Sequence, residues 1–376
     1  MVGTADAVAA ETFEQLRPLL FGIAYRMLGS VADAEDIVQE AFLRYHRALA
    51  SSPAVESPKA FLSAVVTRLS IDQLRSARVR RESYIGPWLP EPVLTDPVAP
   101  GPAAPGPADQ AEQHESLSMA FLLLLERLSP AERAVFLLRD VFGFGYGEIA
   151  GIVGLTEANC RQVAHRARQH VTEHKPRFDA SGRQRDDLAR RFFAIVEGDA
   201  DLSGLVGLLA EDVTVYGDSG GTKPSWPQPI HGRDNVLRLV AGLVRQGTVL
   251  GATSRRVQIN GQPGALFYDR AGRLISAMVL DISDGAIATV RSIIAPGKLG
   301  HLGPLSDFRD ELPGARQDPG WRPGSRLPAG LAEREEAPHG SGERGEAVRA
   351  VAARALPAPP GIASGGPLAC PVASAP

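Results

Sequence analysis

Apolar residues recur at helical spacing over residues 13–74, and this pattern predicts three helices. The first helix is expected to end at Gly29, and Pro58 is expected to begin the third. Ser30 can cap the second helix, with Asp33 at the third helical position as an acidic variant of the capping box. Each helix has one apolar face, so the three helices should pack into a small helical module.

Charge is distributed unevenly over the polar faces of these helices. The second helix carries acids and one amide on its polar face: Asp33, Glu35, Asp36, Gln39 and Glu40. The third helix carries arginines around a single acid, Asp72: Arg68, Arg75, Arg78, Arg80 and Arg81. Solvated surface is the ordinary explanation of such runs. The functional alternative is a docking surface for a basic protein on the second helix and a phosphate-binding stripe for DNA on the third.

A helix, a tight turn and a second helix are predicted over residues 147–171. Thr156 is the expected N-cap of the second helix. The apolar face of this helix consists of Cys160, Val163, Ala164, Ala167 and Val171, and its opposite face carries Arg161, His165 and Arg168. A cationic helix behind a short turn is typical of a helix-turn-helix that enters the major groove of DNA. A helical hairpin with solvated arginines is the alternative explanation of the same pattern.

A proline-rich stretch, residues 85–109, lies between these two patterns and predicts an extended connector. Trp88 would expose a large apolar surface there, so we expect it to dock on another part of the chain. Beyond residue 186, helices precede a strand, another helix and further strands that are joined by turn signals such as Asn260-Gly261 and Asp284-Gly285. The composition after residue 302 predicts a disordered tail.

Composition limits the interpretation further. The 376 residues suffice for two or three domains, and a net charge of −3 means that local charge must support any binding of nucleic acid. Two cysteines are too few for a disulfide framework or a zinc cluster, and we expect His170 and His174 to be solvated. The sequence has no signal-peptide pattern and no apolar run of membrane-spanning length, which predicts a cytoplasmic protein.

Two segments resemble a known family. SVADAEDIVQEAFLRYHRA and SPKAFLSAVVTRLSIDQLRSARVRRESY resemble the second conserved region of bacterial sigma-70 factors of the extracytoplasmic-function group. SPAERAVFLLRDVFGFGYGEIAGIVGLTEANCRQVAHRARQHV is similar to their fourth region, and the order and spacing are those of the family. The resemblance implies that the second region docks on the clamp helices of the largest subunit of core RNA polymerase and reads the −10 promoter element. It implies that the fourth region reads the −35 element.

The resemblance implies three sets of contacts when it is carried over by position. The polymerase contacts would be Asp33, Glu35, Asp36, Gln39 and Glu40. The contacts with the −10 element would be Arg68, Asp72, Arg75 and Arg78, and those with the −35 element would be Arg161, His165 and Arg168. No catalytic residue, metal or cofactor is implied, so the chain is not expected to be an enzyme.

The linker and two later motifs resemble a sigma subgroup that carries a fused C-terminal domain. The WLPEP signature consists of Trp88, Leu89, Pro90, Glu91 and Pro92. The loop with Asp218, Gly220, Gly221 and Lys223 resembles the subgroup's Asp-Gly-Gly-Gly-Lys loop, with Ser219 in place of a glycine and Thr222 inserted. Residues 295–299, which include Lys298, resemble its Asn-Pro-Asp-Lys-Leu ending with two positions changed. In that subgroup the fused domain contacts the linker and controls the sigma core in cis, which implies a regulatory interdomain role for these residues.

The order of elements after residue 186 is similar to the cone-shaped α+β fold of SnoaL-like and nuclear-transport-factor-two-like proteins. The expected fold is therefore multidomain: two all-α sigma domains, the second a helix-turn-helix, an α+β SnoaL-like domain and a disordered tail. The expected boundaries are 11–82, a linker at 83–113, then 114–176, 186–299 and a tail at 300–376.

We expect a sigma factor that directs promoter-specific initiation and is regulated in cis by its C-terminal domain. Two other interpretations of that domain stay open: a sensor that binds a small-molecule ligand, or an enzyme of the cyclase or isomerase type fused to a DNA-binding module. Tyr216, Asp218, His231 and Asp281 would then lie near the mouth of the cone. Nothing in the sequence shows that they converge, so ordinary turn and surface positions are the favoured alternative.

Overall fold

The computed structural model describes residues 2–51, 55–82, 84–95, 115–174, 182–198, 201–221 and 228–307. We name four parts of it: the first helical module (2–82), the linker segment (84–95), the helix-turn-helix module (115–174) and the sheet domain (182–307). Within these described ranges, no helix has both the length and the apolar character needed to cross a lipid bilayer.

The first helical module contains the three predicted helices. They are α1 (Val2–Leu28), α2 (Val31–Ser51) and α3 (Pro58–Glu82). Gly29 ends α1 with a left-handed φ of 67°, a conformation that favours glycine. The predicted cap of α2 is confirmed, since the Asp33 amide donates to Ser30 Oγ at 3.1 Å.

The helix-turn-helix module also follows its sequence pattern. Its helices are α4 (Met119–Leu125), α5 (Pro130–Phe136), α6 (Tyr146–Val153) and α7 (Glu157–His174), with a π-helical turn (Leu137–Val141) after α5. Gly154 makes the turn between α6 and α7 with a left-handed φ of 72°, and Thr156 Oγ1 caps α7 by accepting from the Asn159 amide at 3.2 Å. The predicted apolar face of α7 is confirmed as buried at Cys160, Ala164, Ala167 and Val171, with Val163 half-buried.

The two helical modules share one apolar core instead of folding around two separate ones. Leu62 of α3 and Leu137 and Ile149 of the helix-turn-helix module belong to the same buried cluster. A buried arginine reinforces the contact: Arg133 Nη1 donates to the Met27 carbonyl, at the end of α1, at 2.5 Å. Burial lowers the pKa of Arg133 to about 9, so this guanidinium is still charged at neutral pH.

The sheet domain begins with helix α8 (Gly182–Val196) and a 3-10 turn (Leu202–Gly207). Strands and helices then follow as β1 (Leu209–Asp218), β2 (Ile230–His231), α9 (Arg233–Leu250), β3 (Thr253–Ile259), β4 (Gln262–Tyr268), β5 (Leu274–Ser283), β6 (Ala286–Ile293) and α10 (Pro296–Leu299). The strand order is β2-β1-β6-β5-β4-β3. All neighbours are antiparallel except β1 and β6, whose parallel pairing no local sequence signal indicated.

The two faces of this sheet are covered by different parts of the chain. Apolar residues of α8 and α9, including Phe192, Phe193 and Val236, pack on one face. Leu89 of the linker segment and Met119 of α4 belong to the cluster on the other face. Because alternate residues of a strand point to opposite faces, the sheet holds its own helices on one side and the rest of the chain on the other.

Two irregular segments lie against other parts of the chain. Residues 84–95 agree with the expectation that the linker docks around Trp88, since Leu89, Glu91 and Pro92 are buried. The predicted tail needs correction, because residue 300 is too early a start: Leu305 forms a β-bridge with Leu274, and Ser306 Oγ donates to Asp269 at 2.5 Å. The remainder of both segments, 96–114 and 308–376, lies outside the described residues.

Gly29 gives a test of how tightly the linker segment packs on α1. A Cβ added there would lie 2.7 Å from Trp88 Cη2, on a backbone with left-handed φ. We expect Gly29→Ala to lower the free energy of unfolding in urea by about 2–4 kcal/mol, from backbone strain and overpacking together. Gly143→Ala is the matched control, because its φ is 72° and nothing lies within 4 Å of the added atom. Equal losses in the two variants would contradict tight packing of Trp88.

Candidate functional site

The acidic face of α2 is exposed and is bordered by arginines. Asp36 and Gln39 are exposed. Glu35 accepts from Arg17 of α1 at 2.6 Å. Glu40 accepts from Arg44 at 2.8 Å, a hydrogen bond that holds the pKa of Glu40 below its ordinary value.

Asp33, the remaining acid of this face, is half-buried and accepts from Gln73 of α3 at 3.2 Å. A groove of about 270 Å³ runs beside the face and is lined by apolar Phe13, Val38 and Phe42 together with Glu35 and Gln39. An apolar groove with acidic edges suits a basic, amphipathic protein helix.

The basic residues of α3 are not equally available in this conformation. Arg68 donates from Nε to the Ile152 carbonyl at 2.9 Å and from Nη2 to the Gly151 carbonyl at 2.7 Å, both at the end of α6. Arg75 is exposed and pairs with Asp72 at 3.3 Å. Arg78 belongs to α3, but its side chain lies outside the described residues. Arg68 therefore joins the two helical modules at a position where the resemblance implies contact with DNA.

The predicted recognition face of α7 points to solvent. Arg161 and His165 are exposed, and Arg161 forms an ion pair with Glu157 one turn earlier. Arg168 is half-buried and pairs with Asp140 at 2.8 Å. Both arginines can exchange their carboxylate partners for phosphate groups, because solvent-accessible ion pairs contribute little stability.

The linker segment is bound to the sheet domain around one buried carboxylate. Asp218, at the end of β1, has no exposed surface. Its Oδ2 accepts from the Leu89 amide at 2.8 Å and from Lys298 Nζ at 2.6 Å. Its Oδ1 accepts from the Tyr84 hydroxyl at 2.5 Å and from the Gly220 amide at 3.1 Å. Burial and the neighbouring Asp218 raise the pKa of Tyr84, which keeps this hydroxyl protonated as a donor.

Lys298 completes the site from the opposite side. Its ammonium group also donates to the Leu89 carbonyl at 2.5 Å. It lies 4.5 Å from the ring centre of Trp88 and 4.9 Å from that of Tyr84, within the range of cation–π attraction. The linker signature, the Asp218 loop and the Lys298 ending thus meet in space. Asp218 and Lys298 bind the backbone of Leu89, and Lys298 lies over the rings of Trp88 and Tyr84.

The other residues of these motifs that the structure describes lie nearby. An added Cβ at Gly220 would lie 3.2 Å from Ala295, and one at Gly221 would lie 3.4 Å from Ile85. The backbone at both glycines therefore packs closely against other segments of the same chain. Pro90 packs beside Gly29, and the Pro92 carbonyl pairs with His301 Nε2 at 2.8 Å. Lys223 lies outside the described residues.

Glu91 links the same segment to α2. Its carboxylate accepts from Ser30 Oγ at 2.9 Å, from the Val31 amide at 2.7 Å and from the Ala32 amide at 3.2 Å. These amides belong to the first turn of α2, where backbone N–H groups lack partners within the helix. The linker segment therefore caps the helix that carries the acidic face, a role that the sequence pattern did not reveal.

A set of polar contacts between modules has no signal in the sequence. Tyr25 is fully buried and donates to the Glu91 carbonyl at 2.6 Å. Asn260 donates to the Tyr25 hydroxyl at 2.7 Å, and Gln262 accepts from the Met119 amide at 3.0 Å. The Asn-Gly pair at residues 260–261 signalled only a hairpin turn, and no local pattern indicates what such a turn contacts.

The residues considered for an enzyme or sensor do not surround the inner apolar core of the sheet domain. Tyr216 and Asp218 lie on the face that docks the linker segment, and Asp218 is engaged by Lys298. Asp281 is buried in an ion pair with Arg291. His231 is exposed and pairs with Thr214 Oγ1 at 3.1 Å. Their expected position near a cone mouth stays a prediction.

Two family models match the sequences of the two helical modules. Residues 12–80 match the family model described as Sigma-70 region 2, and residues 118–171 match the one described as Sigma-70, region 4. The class is thus that of sigma-70 factors.

Relatives extend the similarity into the sheet domain. The ECF RNA polymerase sigma factor SigJ of Mycobacterium tuberculosis is 38% identical over 295 residues, which cover 76% of this chain and 91% of SigJ. The probable ECF RNA polymerase sigma factor SigI of the same species is 32% identical over 290 residues, 76% of this chain and 93% of SigI. The crystal structure of SigJ matches with a TM-score of 0.60 at 35% identity and covers 79% of this chain and 100% of that chain.

The chain therefore belongs to the extracytoplasmic-function sigma factors, and the predicted order of helical sigma domains followed by an α+β domain is confirmed.

The buried Asp218–Lys298 pair predicts a specific stability effect. We expect Lys298→Met to lower the free energy of unfolding by about 3 kcal/mol or more, because it leaves a buried carboxylate without its counter-ion. Arg256→Met is the control: Arg256 pairs with Glu197 at 2.7 Å with 42% of its side chain exposed, and its loss should cost less than about 1 kcal/mol. Urea unfolding followed by circular dichroism measures both. A Lys298→Met chain as stable as the control would show that the pair does not hold the linker segment.

Proposed function

We propose that this chain directs core RNA polymerase to specific promoters and that its sheet domain regulates this activity in cis. The observation that carries the proposal is the binding of the linker segment between Asp218 and Lys298, since the same segment caps α2 through Glu91. The sheet domain thereby contacts the part of the chain that joins the two sigma regions. The site of action is the cytoplasm, where core polymerase works.

The surface charges support a division of roles between the helices. The acidic face and apolar groove of α2 fit a basic helix of the polymerase, and the proposed contacts are those of the resemblance, from Asp33 to Glu40. The arginines of α3 and α7 fit the phosphates and base edges of promoter DNA. Each region thus has a surface of the charge that its partner requires.

Regulation follows from the compact arrangement of the sigma regions. Arg68 is bound to carbonyls of α6, and both helical modules share a core, so the two DNA-contacting surfaces are held close together. Promoter elements are separated along the duplex, and occupying both of them requires the modules to move apart. A sheet domain that binds the linker segment opposes this movement and lowers initiation until the linker segment is released.

We further propose that the chain has no catalytic turnover of its own. The inner face of the sheet is occupied by buried apolar side chains such as Phe192 and Phe193, and the acids Asp218 and Asp281 are each neutralised by a buried cation. A general base needs a group that is free to take up a proton from a substrate.

Charge reversal tests polymerase docking. We expect Asp36→Lys to reduce affinity for purified core polymerase at least about tenfold, because it places a like charge against a basic partner. The side chain of Asp36 is exposed, so circular dichroism should show an unchanged fold. Glu211→Lys, at an exposed acid of β1, is the matched control and should bind as the native chain does. Unaltered binding by Asp36→Lys would exclude the acidic face from the docking surface.

Removal of the sheet domain tests regulation. Run-off transcription with core polymerase is compared for the full chain, a chain that ends at residue 177 and full-length Lys298→Met. We expect initiation to rise about threefold or more for both altered chains, because each loses the contacts that hold the linker segment. If these contacts favour the bound linker segment by about 1.4 kcal/mol, their loss would raise initiation about tenfold. The two chains control for each other, since one lacks the domain and the other retains it. Identical transcription from all three would refute regulation in cis.

A further inference from the structure

The turn between β3 and β4 is buried, although residues of its type usually face solvent. Asn260 and Gly261 adopt left-handed φ values of 54° and 69°, as expected of an Asn-Gly hairpin turn. Asn260 nevertheless has no exposed surface. Asp284, in the β5–β6 turn of the same sheet, has a similar φ of 50° and is exposed. The burial of Asn260 is therefore not a requirement of the turn itself.

Asn260 contacts three separate parts of the chain through hydrogen bonds. Its backbone amide donates to the Val93 carbonyl at 2.8 Å, and its Oδ1 accepts from the Val93 amide at 3.0 Å. Its Nδ2 donates to the Tyr25 hydroxyl at 2.7 Å and to the Leu117 carbonyl at 3.0 Å. Tyr25 belongs to the first helical module, Val93 to the linker segment and Leu117 to the helix-turn-helix module.

Neighbouring residues extend the same contact. The Gly261 amide donates to Thr95 Oγ1 at 2.9 Å, and the Tyr25 hydroxyl donates onward to the Glu91 carbonyl at 2.6 Å. Burial raises the pKa of Tyr25, so its hydroxyl stays protonated and can donate and accept at once. Loss of the Asn260 side chain would remove the partners of the half-buried Val93 amide and Leu117 carbonyl, which is costly.

The residue type fits this position closely. Glycine would tolerate the φ of 54° but has no side chain to form the three side-chain hydrogen bonds. Aspartate would keep the acceptor for the Val93 amide but would lose both donors of Nδ2. Asparagine tolerates a left-handed backbone, and its side chain provides one acceptor and two donors.

We propose that the β3–β4 turn is a second regulatory contact, in which Asn260 and Tyr25 lock both sigma regions and the linker segment to the sheet domain at one point. This contact rests on the proposed regulation in cis and is distinct from the site at Asp218. The Asp218 site binds the linker segment alone, whereas the turn binds the sigma regions directly. Release of the sigma regions therefore has to break the hydrogen bonds of Asn260 as well as those of Asp218.

Hydrogen exchange on the full chain tests this contact. Asn260→Gly keeps the turn conformation and removes the side chain, and Tyr25→Phe removes one hydroxyl from a side chain that stays buried. We expect both variants to speed amide exchange of residues 93–95 and 117–119 at least about fivefold, because each loses buried hydrogen bonds. Asp284→Gly is the matched control, with a similar change in a turn that contacts solvent. Exchange of residues 192–196, in the inner core of the sheet domain, should stay at the native rate in all three variants.

The double variant separates a shared contact from general loosening. Because Asn260→Gly and Tyr25→Phe remove one common hydrogen bond, their combined effect on exchange should be smaller than the product of the single effects. The proposal would be overturned if residues 93–95 and 117–119 of Asn260→Gly exchanged at the native rate. It would also be overturned if the effect of the double substitution equalled the product of the two single effects.

Transcription by the same variants addresses the proposed function separately. Faster exchange with higher initiation supports both the contact and regulation in cis. Faster exchange with unchanged initiation supports the contact as a structural lock and contradicts regulation through it.

Discussion

The arrangement of this protein depends on the buried carboxylate of Asp218, which needs hydrogen-bond donors and a neighbouring cation. Asp218 has no exposed surface, and a buried charge without partners would cost several kcal/mol. Two of its partners, the Tyr84 hydroxyl and the Leu89 amide, belong to the linker segment, and a third is Lys298. The linker segment therefore supplies part of the hydrogen bonding that this buried carboxylate requires. Through these contacts the sheet domain, which follows both sigma regions in the chain, holds the segment between them.

The end of α1 is where the parts of the chain meet. Tyr25 contacts the linker segment and the sheet domain, the Met27 carbonyl accepts from Arg133 of the helix-turn-helix module, and Gly29 lies against Trp88. A shift at this point would change contacts with the linker segment, the sheet domain and the helix-turn-helix module, because closely packed interiors do not deform continuously. The proposed regulation in cis requires such coupling, because a change in the sheet domain must reach the surfaces that are proposed to dock polymerase and to contact DNA.

The local structure of the helical modules was predictable because it is set by nearby residues. The caps at Ser30 and Thr156 and the buried face of α7 follow from side chains within one or two turns. The acidic face of α2 and the exposed arginines of α7 follow in the same way from helical spacing. The polymerase and promoter contacts assigned to those residues remain predictions.

The sequence by itself determined the helices, the hairpin turns, the placement of charge and the family. Only the tertiary structure decided that Glu91 caps α2, that Asn260 is buried between modules, that β1 pairs in parallel with β6, and that residues 300–307 belong to the fold. The physical reason is sequence distance. Asn260 and Tyr25 are 235 residues apart, and a hydrogen bond of that span leaves no periodic or local trace in the chain.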